Sequence, residues 1–407
     1  MSDVKLEAHE MTDQSNFSCD IGVLHLSVPL KESSEAFSVP LKESDDLTRT
    51  EKNGAYAIQP VAQSLKWSWA CRVLDCGNYK LHSYASSNVD IDNKPKIGDV
   101  AVVCVERIGN HTSVVTTDNK KLRIYVGDYI ACVFGNRYAT AAFEGEVIGI
   151  EDLSLLTAGG MIGTVKSKHS HDVKKPTRVS FTGYLVKEGD KRINLKQLKF
   201  VINRPTPDAE IKNLIVAVGT GMNSGKTTTA RMLIRGLSER GLKIAACKLT
   251  GSVSNRDQDE MRSASAKCIM DFSDYGFPST YLATKAELIE LFNTMLARLK
   301  RFNPDVVIME IADGILQRET NMLLTDPYIK QKTKGIVLAA ESAPSALYGV
   351  EYLKNLGYTI IAVSGAMTSA PLFVREFQQH SEIHVASSVN TGKDLVSSVT
   401  AFINESK

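Results

Sequence analysis

The carboxy-terminal half of the chain alternates between two hydrophobic patterns. One is the short, continuous apolar run: LIVAVG (214–219), KIAACKL (243–249), DVVIMEI (305–311), GIVLAA (335–340) and YTIIAVSG (358–365). Runs of this length and β-branched content mark strands buried on both faces. The other pattern has helical period. TTTARMLIRGLSER (227–240) is stopped by Gly241, and KAELIELFNTMLARLKRF (285–302) gathers its leucines on one side. Such alternation predicts an α/β domain on a doubly wound parallel sheet with helices on both faces.

Upstream the pattern shortens. From about residue 63 to residue 199, alternating segments such as IGDVAVVCVERIG (97–109), KLRIYVGDYIACVFGN (121–136), GMIGTVKS (160–167) and TRVSFTGYLV (177–186) are broken by glycine and polar turns. Gly98-Asp99 and Gly127-Asp128 each precede an apolar run, as a turn feeding a strand would. With no long amphipathic helix between them, these segments predict a smaller β-rich barrel or sandwich. NRPTPDAEIKN (203–213) carries two prolines and charge and reads as a linker. The first fifty residues are rich in Ser, Glu, Asp and Lys and repeat SVPLKES at 27 and 38. Two copies are too few for a repeat fold, so the segment reads as a disordered tail or as a duplicated docking motif. The expected division is therefore 1–54, 55–205 and 206–407.

Composition narrows the function classes. The chain of 407 residues is 43% hydrophobic and 23% charged, with a formal net charge of +2. That balance argues against nucleic acid or an anionic membrane as partner. No apolar run is long enough to span a bilayer, and MSDVKLEAHEMTDQ is no secretory signal; a cytoplasmic protein is expected. Seven scattered cysteines read as reduced thiols. Cys71 and Cys76 lack the second pair that a zinc site needs.

The candidate chemistry lies in GTGMNSGKTTTA (219–230). The usual phosphate-loop formula counts back from Gly225 to Thr220, which is no glycine. Read from Gly219, the loop is a longer form, G-x5-G-K-T. A buried strand precedes it and a helix follows, so backbone N–H groups can converge on phosphate oxygens. Gly219, Gly221, Asn223, Ser224, Gly225, Lys226, Thr227 and Thr228 are the expected nucleotide-binding residues. Lys226 would neutralise phosphate, and the Thr227 hydroxyl would ligate Mg²⁺. Glu310, at the end of the DVVIMEI strand, is expected to hold the metal or position water, with Asp313 just beyond. Lys248 ends the strand after the loop's helix and could meet an anionic acceptor. Asp257 or Asp259, expected in the following loop, could share the metal, and the spacing does not choose between them; Asp257 is taken with Thr227 and Glu310 as the metal set. Ser364 and Gly365 end another strand, where a base could be gripped.

The G-x5-G-K-T spacing resembles the dethiobiotin synthetase-like branch of P-loop proteins, which also carries a strand-end lysine like Lys248 and a glutamate like Glu310. The same half is similar to a bacterial family of P-loop proteins of uncharacterised or N-acyltransferase-type function, through the loop and DFSDYGFPSTYL (271–282). The resemblance covers roughly residues 211 to 405. It implies ATP and Mg²⁺ as cofactors. It does not carry the biotin-precursor site, because Glu310-Ile-Ala-Asp-Gly314 stands in place of a glycine-rich E-G-A-G-G.

In the middle segment, Asn136, Arg137 and the Ala158-Gly159-Gly160 loop read equally as a ligand or partner site and as tight turns. Lys166, Lys168, His169, His171, Lys174, Lys175 and Arg178 form a basic stretch that reads as a solvated loop. The expected function is Mg-dependent phosphoryl transfer or ligation from ATP to a small anionic substrate, with Lys226, Lys248 and Glu310 catalytic. The alternative is a nucleotide-dependent switch acting on a protein partner through the β-rich domain. A homodimer is expected in either case.

Overall fold

The computed structural model describes residues 58–60, 65–74, 79–82, 94–170, 174–187, 191–198, 211–387 and 392–405. The 1–54 tail with its SVPLKES duplication, and residues 203–210 of the linker, lie outside these.

The first part of the described chain is β-rich. Its strands are β1 (Ile58–Pro60), β2 (Lys66–Trp67), β3 (Lys80–His82), β4 (Val100–Arg107), β5 (Ser113–Val115), β6 (Lys121–Arg123), β7 (Tyr129–Phe134), β8 (Phe143–Glu146), β9 (Leu153–Leu155), β10 (Met161–Lys168) and β11 (Thr177–Val186). The pairings choose between barrel and sandwich. β11 pairs β4, β4 pairs β7, and β7 runs parallel to β10. The three-residue β9 then bonds both β10 and β11, closing the ring. Closure satisfies edges that an open sheet would expose. Val103, Val105, Ile130, Cys132, Phe134, Leu155 and Tyr184 fill one side of the strands. Val100, Val102, Ala131 and Val133 face the other way, under the Trp69–Cys71 turn and Val253. Burial on both faces explains why AVVCV and IACVF are continuous apolar runs within an otherwise alternating region.

The second part is α/β: β12 (Leu214–Gly219), α1 (Lys226–Glu239), β13 (Ile244–Lys248), α2 (Arg256–Ser263), β14 (Cys268–Asp271), α3 (Lys285–Arg301), β15 (Val306–Glu310), α4 (Arg318–Leu324), α5 (Pro327–Lys332), β16 (Gly335–Ala339), α6 (Ala343–Asn355), β17 (Ile360–Ser364), α7 (Pro371–Gln378) and α8 (Lys393–Glu405). The strands lie in the order β14-β13-β15-β12-β16-β17 and all pairs are parallel. Alternate residues of β12 serve opposite cores. Val216 and Val218 pack toward the layer containing α3, and Ile215 and Ala217 toward α1 and α8. The doubly wound expectation holds. One local expectation does not: Asp257 and Asp259 stand in the first turn of α2, where carboxylates suit the helix N-terminus, and not in a loop.

The two parts dock through polar and apolar contacts. Arg72 donates to Ser273 Oγ (2.9 Å) and ion-pairs with Asp274 and Asp271. Asn119 donates to the Asp259 carboxylate (3.0 and 3.1 Å) and accepts from Asn255 Nδ2 (2.8 Å). Lys196 pairs with Glu287. Val253, from the α/β part, is buried in the barrel's outer cluster. A Cβ on Gly159 would stand 2.7 Å from the Val253 carbonyl, so Gly159 is a close backbone approach between the two parts. Among the described residues no helix is long and apolar enough to cross a membrane.

Candidate functional site

The loop between β12 and α1 is built around its glycines. A Cβ on Gly219 would meet Ser224 Oγ and, at 2.7 Å, Lys226 Cγ. Gly225 takes φ +96° at the helix N-terminus, where a side chain would also lie 3.0 Å from Ala366 N and Gly365 Cα. Asn223, at φ +71°, is of the residue types that tolerate the left-handed region. The first intrahelical bond runs from Thr229 N–H to the Gly225 carbonyl (2.9 Å). The amides of Lys226, Thr227 and Thr228 thus have no partner within the helix, leaving positive potential at its start. Lys226 is buried and folds back over the loop, donating to the Gly221 carbonyl at 2.7 Å. Burial holds its pKa below the ordinary lysine range, against the pull of Glu310 and Asp313.

Behind the loop a chain of charges crosses from β15 to α2. Glu310 is 1% exposed. Its Oε1 accepts from Thr227 Oγ1 at 3.2 Å and lies 3.3 Å from Lys248 Nζ, while Oε2 is buried without a hydrogen-bond partner. Lys248 Nζ reaches on to Asp257 Oδ2 at 2.9 Å. Burial pulls the Lys248 pKa down, but Asp257 and Glu310 outweigh it and hold the ammonium charged far above neutrality. Asp259 points away, to Asn119, Asn255 and Arg262. Of the two acids left open by the spacing, only Asp257 joins the site, and it meets Lys248 rather than Thr227. Among the described residues no group of three or more His, Cys, Asp or Glu side chains is placed to hold a metal ion.

Asp313 stands beside this chain. Burial raises its pKa, and the opposing charges of Lys226, Lys248 and Arg137 act on it from a distance. Arg137, read from the sequence equally as part of a ligand or partner site and as a tight turn, precedes Tyr138, which lines a small cavity together with Asp313. Ser364 and Gly365 lie under the loop. The Ala366 amide donates to the Ser224 carbonyl (2.9 Å), and a Cβ on Gly365 would stand 2.7 Å from Ala340 N. The sequence reading missed Glu341, whose Oε1 lies 3.3 Å from where a Gly221 Cβ would be. Its signal was an acid directly after the GIVLAA strand, the same cue that singled out Glu310. It also missed Thr140, whose hydroxyl rests on Met222 Sδ at the loop tip (3.6 Å); an isolated polar residue of a barrel loop gives no sign of a contact 82 residues away.

No protein-family model matches this sequence, and no curated protein does. Solved structures similar to it include the signal recognition particle receptor FtsY from Elizabethkingia anophelis, at 15% identity and a TM-score of 0.33, over 53% of this chain and 76% of that one. The same receptor in complex with GDP is similar at 16% identity and a TM-score of 0.31, over 47% and 63%. The kinase domain of the Escherichia coli tyrosine kinase ETK is similar at 12% and 0.28, over 37% and 66%.

The C-terminal half is a doubly wound parallel α/β domain with a glycine-rich loop leading from β12 into α1. That assignment rests on the strand order and the loop geometry, and it is broader than the dethiobiotin synthetase-like branch. The expectation of ATP is corrected here: the nucleotide named with a similar solved structure is GDP, and ATP is not carried forward. The G-x5-G-K-T spacing sets the length of a loop and the place of one lysine and carries no information about a base, which is why it could not select a nucleotide.

Proposed function

We propose that this protein is a nucleotide-dependent switch, with GDP and GTP as the ligands to test, in which the barrel reads the state of the phosphate loop. The observation that carries this reading is the contact of Thr140 with Met222: a barrel residue sits on the tip of the loop, so loop contents and barrel seating are linked. Gly219, Gly221, Asn223, Ser224, Gly225, Thr227 and Thr228 would line the phosphates, and Lys226 would leave the Gly221 carbonyl to pair with them. Glu310 fits a divalent cation such as Mg²⁺, since its Oε2 is buried without a partner beside the Thr227 hydroxyl. Such an ion would neutralise phosphate charge and draw its remaining ligands from phosphate and water.

Phosphoryl transfer or ligation onto a small anionic acceptor is the second reading, favoured by Lys248 at the strand end and by the G-x5-G-K-T spacing. Against it, the Lys248 ammonium is already shared by two carboxylates at 2.9 and 3.3 Å. A protein partner engaged through the barrel, and a homodimer, belong to the switch reading. The test is calorimetry of the full chain with GDP and with GTP, in Mg²⁺, on wild type and on Lys226→Ala. Binding by wild type that the variant loses is expected; no binding of either nucleotide by wild type overturns both readings.

A further inference from the structure

Resting on the switch reading, we infer that Arg137 is the barrel's sensor of the phosphate loop, and that Asp313 relays between them. Arg137 follows β7 and is held by paired backbone bonds with Gly145 (2.8 and 3.0 Å). Its Nη1 donates to the Leu156 carbonyl, and its guanidinium lies 5.9 Å from the Phe143 ring centroid. Its Nε is buried with no hydrogen-bond partner. A half-buried guanidinium without a touching carboxylate is costly, and the anion whose field reaches it, Asp313, belongs to the other domain.

Asp313 in turn feels Lys226, Lys248 and Arg137 together. The same junction holds a small cavity of about 10 Å³ lined by Asp313, Gln317, Tyr281 and the barrel's Tyr138. The Tyr138 and Tyr281 rings are 5.6 Å apart across it. Three positive groups therefore compete for one carboxylate, and one of them, Lys226, is the loop's own lysine.

Filling the loop changes that competition. Phosphate oxygens take over the Lys226 charge and add negative charge on Asp313's loop side. Coulomb repulsion and the loss of a counter-ion then both favour Asp313 pairing with Arg137. The pair tightens the 135–142 segment onto the α/β domain, with Thr140 on Met222 as its second point of contact. Arg137 is thus a positioning residue that acts through Asp313.

The test is amide hydrogen exchange of residues 135–146 in the full chain, with and without GDP and Mg²⁺, beside calorimetric GDP affinity. Wild type is expected to gain protection there on binding GDP. Arg137→Gln and Asp313→Asn should each abolish that gain, the double variant should be no worse than either, and Arg137→Lys should keep part of it. The inference is overturned if Arg137→Gln retains the full gain, or if wild type binds GDP with no gain. It also falls if Arg137→Gln loses protection across the barrel irrespective of GDP, which marks a purely structural arginine. If wild type does not bind GDP or GTP at all, the switch reading itself has failed, and the calorimetry reports that separately.

Discussion

Lys226 Nζ donates to the carbonyl of Gly221, five residues back, at 2.7 Å, so the lysine occupies the centre of its own loop. Phosphate must recruit the ammonium from that bond, and the exchange is favourable because a charge-assisted bond to an anion is stronger than one to a peptide carbonyl. Lys226→Ala should weaken GDP binding about 100-fold, close to the roughly 3 kcal/mol expected for a bond to a charged group. Calorimetry on the two proteins checks this. Equal affinities would remove Lys226 from the site.

The glycines of the loop are not equivalent. Gly219→Ala would drive a methyl group into Ser224 and Lys226, and Gly225→Ala would combine positive φ with contacts at 3.0 Å to the 365–366 backbone. Both should abolish nucleotide binding. Gly221→Ala meets only Glu341 Oε1, at 3.3 Å, and should bind within about threefold of wild type, since a side-chain end can move aside. A severe Gly221→Ala with a mild Gly219→Ala would return the loop's first glycine to a different register.

Lys248 holds two carboxylates together at 2.9 and 3.3 Å. Lys248→Ala leaves Glu310 buried and uncompensated, and should cost about 3–5 kcal/mol in a denaturant titration, the usual penalty for breaking a buried pair. Adding Glu310→Gln to that variant should recover part of the loss. No recovery would place the damage in packing rather than charge.

His111 gives a pH dependence with a definite sign. Its Nε2 bonds the same Leu156 carbonyl that Arg137 uses (2.9 Å). Burial, helped by the Arg137 charge, lowers its pKa from 6.5 to about 4. The folded state therefore takes up the proton later than the unfolded chain does. The stability contributed by neutral His111 is present above pH 6.5 and is lost as pH falls toward 4. The loss is about 3 kcal/mol at most, since His111 is only partly buried. Thermal unfolding from pH 7 to pH 4.5 should show the trend, and His111→Gln should flatten it; an unchanged profile would refute the assignment.

Arg72 ties the barrel to a turn of the α/β domain. Burial, then the Asp274 charge, raise the Asp271 pKa to about 6, with Arg72 opposing both. Arg72→Ala should leave the two carboxylates facing each other and separate unfolding into two calorimetric transitions. A single cooperative transition in that variant would show that the remaining contacts suffice to couple the domains.

Most of the α/β fold was legible in the chain. Continuous apolar runs became β12, β13, β15, β16 and β17 within a residue or two of their expected ends. The leucine face of residues 285–302 became α3. The sequence reading named neither β14 nor α2, α4, α5, α6, α7 and α8; six to eight residues of α2, α4, α5 and α7 carry too little periodicity to stand out, whereas the 13 residues each of α6 and α8 were passed over. The barrel's strands showed themselves through their turns, but its closure did not. β9 has three residues, and bonding on both its edges is a property of three-dimensional pairing.

The site divides the same way. The loop, its lysine and threonine, and the acids and lysine at the strand ends stand out in the chain, because each is marked by its position along a strand–loop–helix unit. Only the folded arrangement shows that Lys248 joins Asp257 to Glu310, that Asp259 serves the domain contact, and that Thr140 reaches the loop from the barrel. Those relationships depend on strand order and domain docking, which bring Thr140 to Met222 across 82 positions and Asn119 to Asp259 across 140. Local patterns of polarity do not encode which distant surfaces meet.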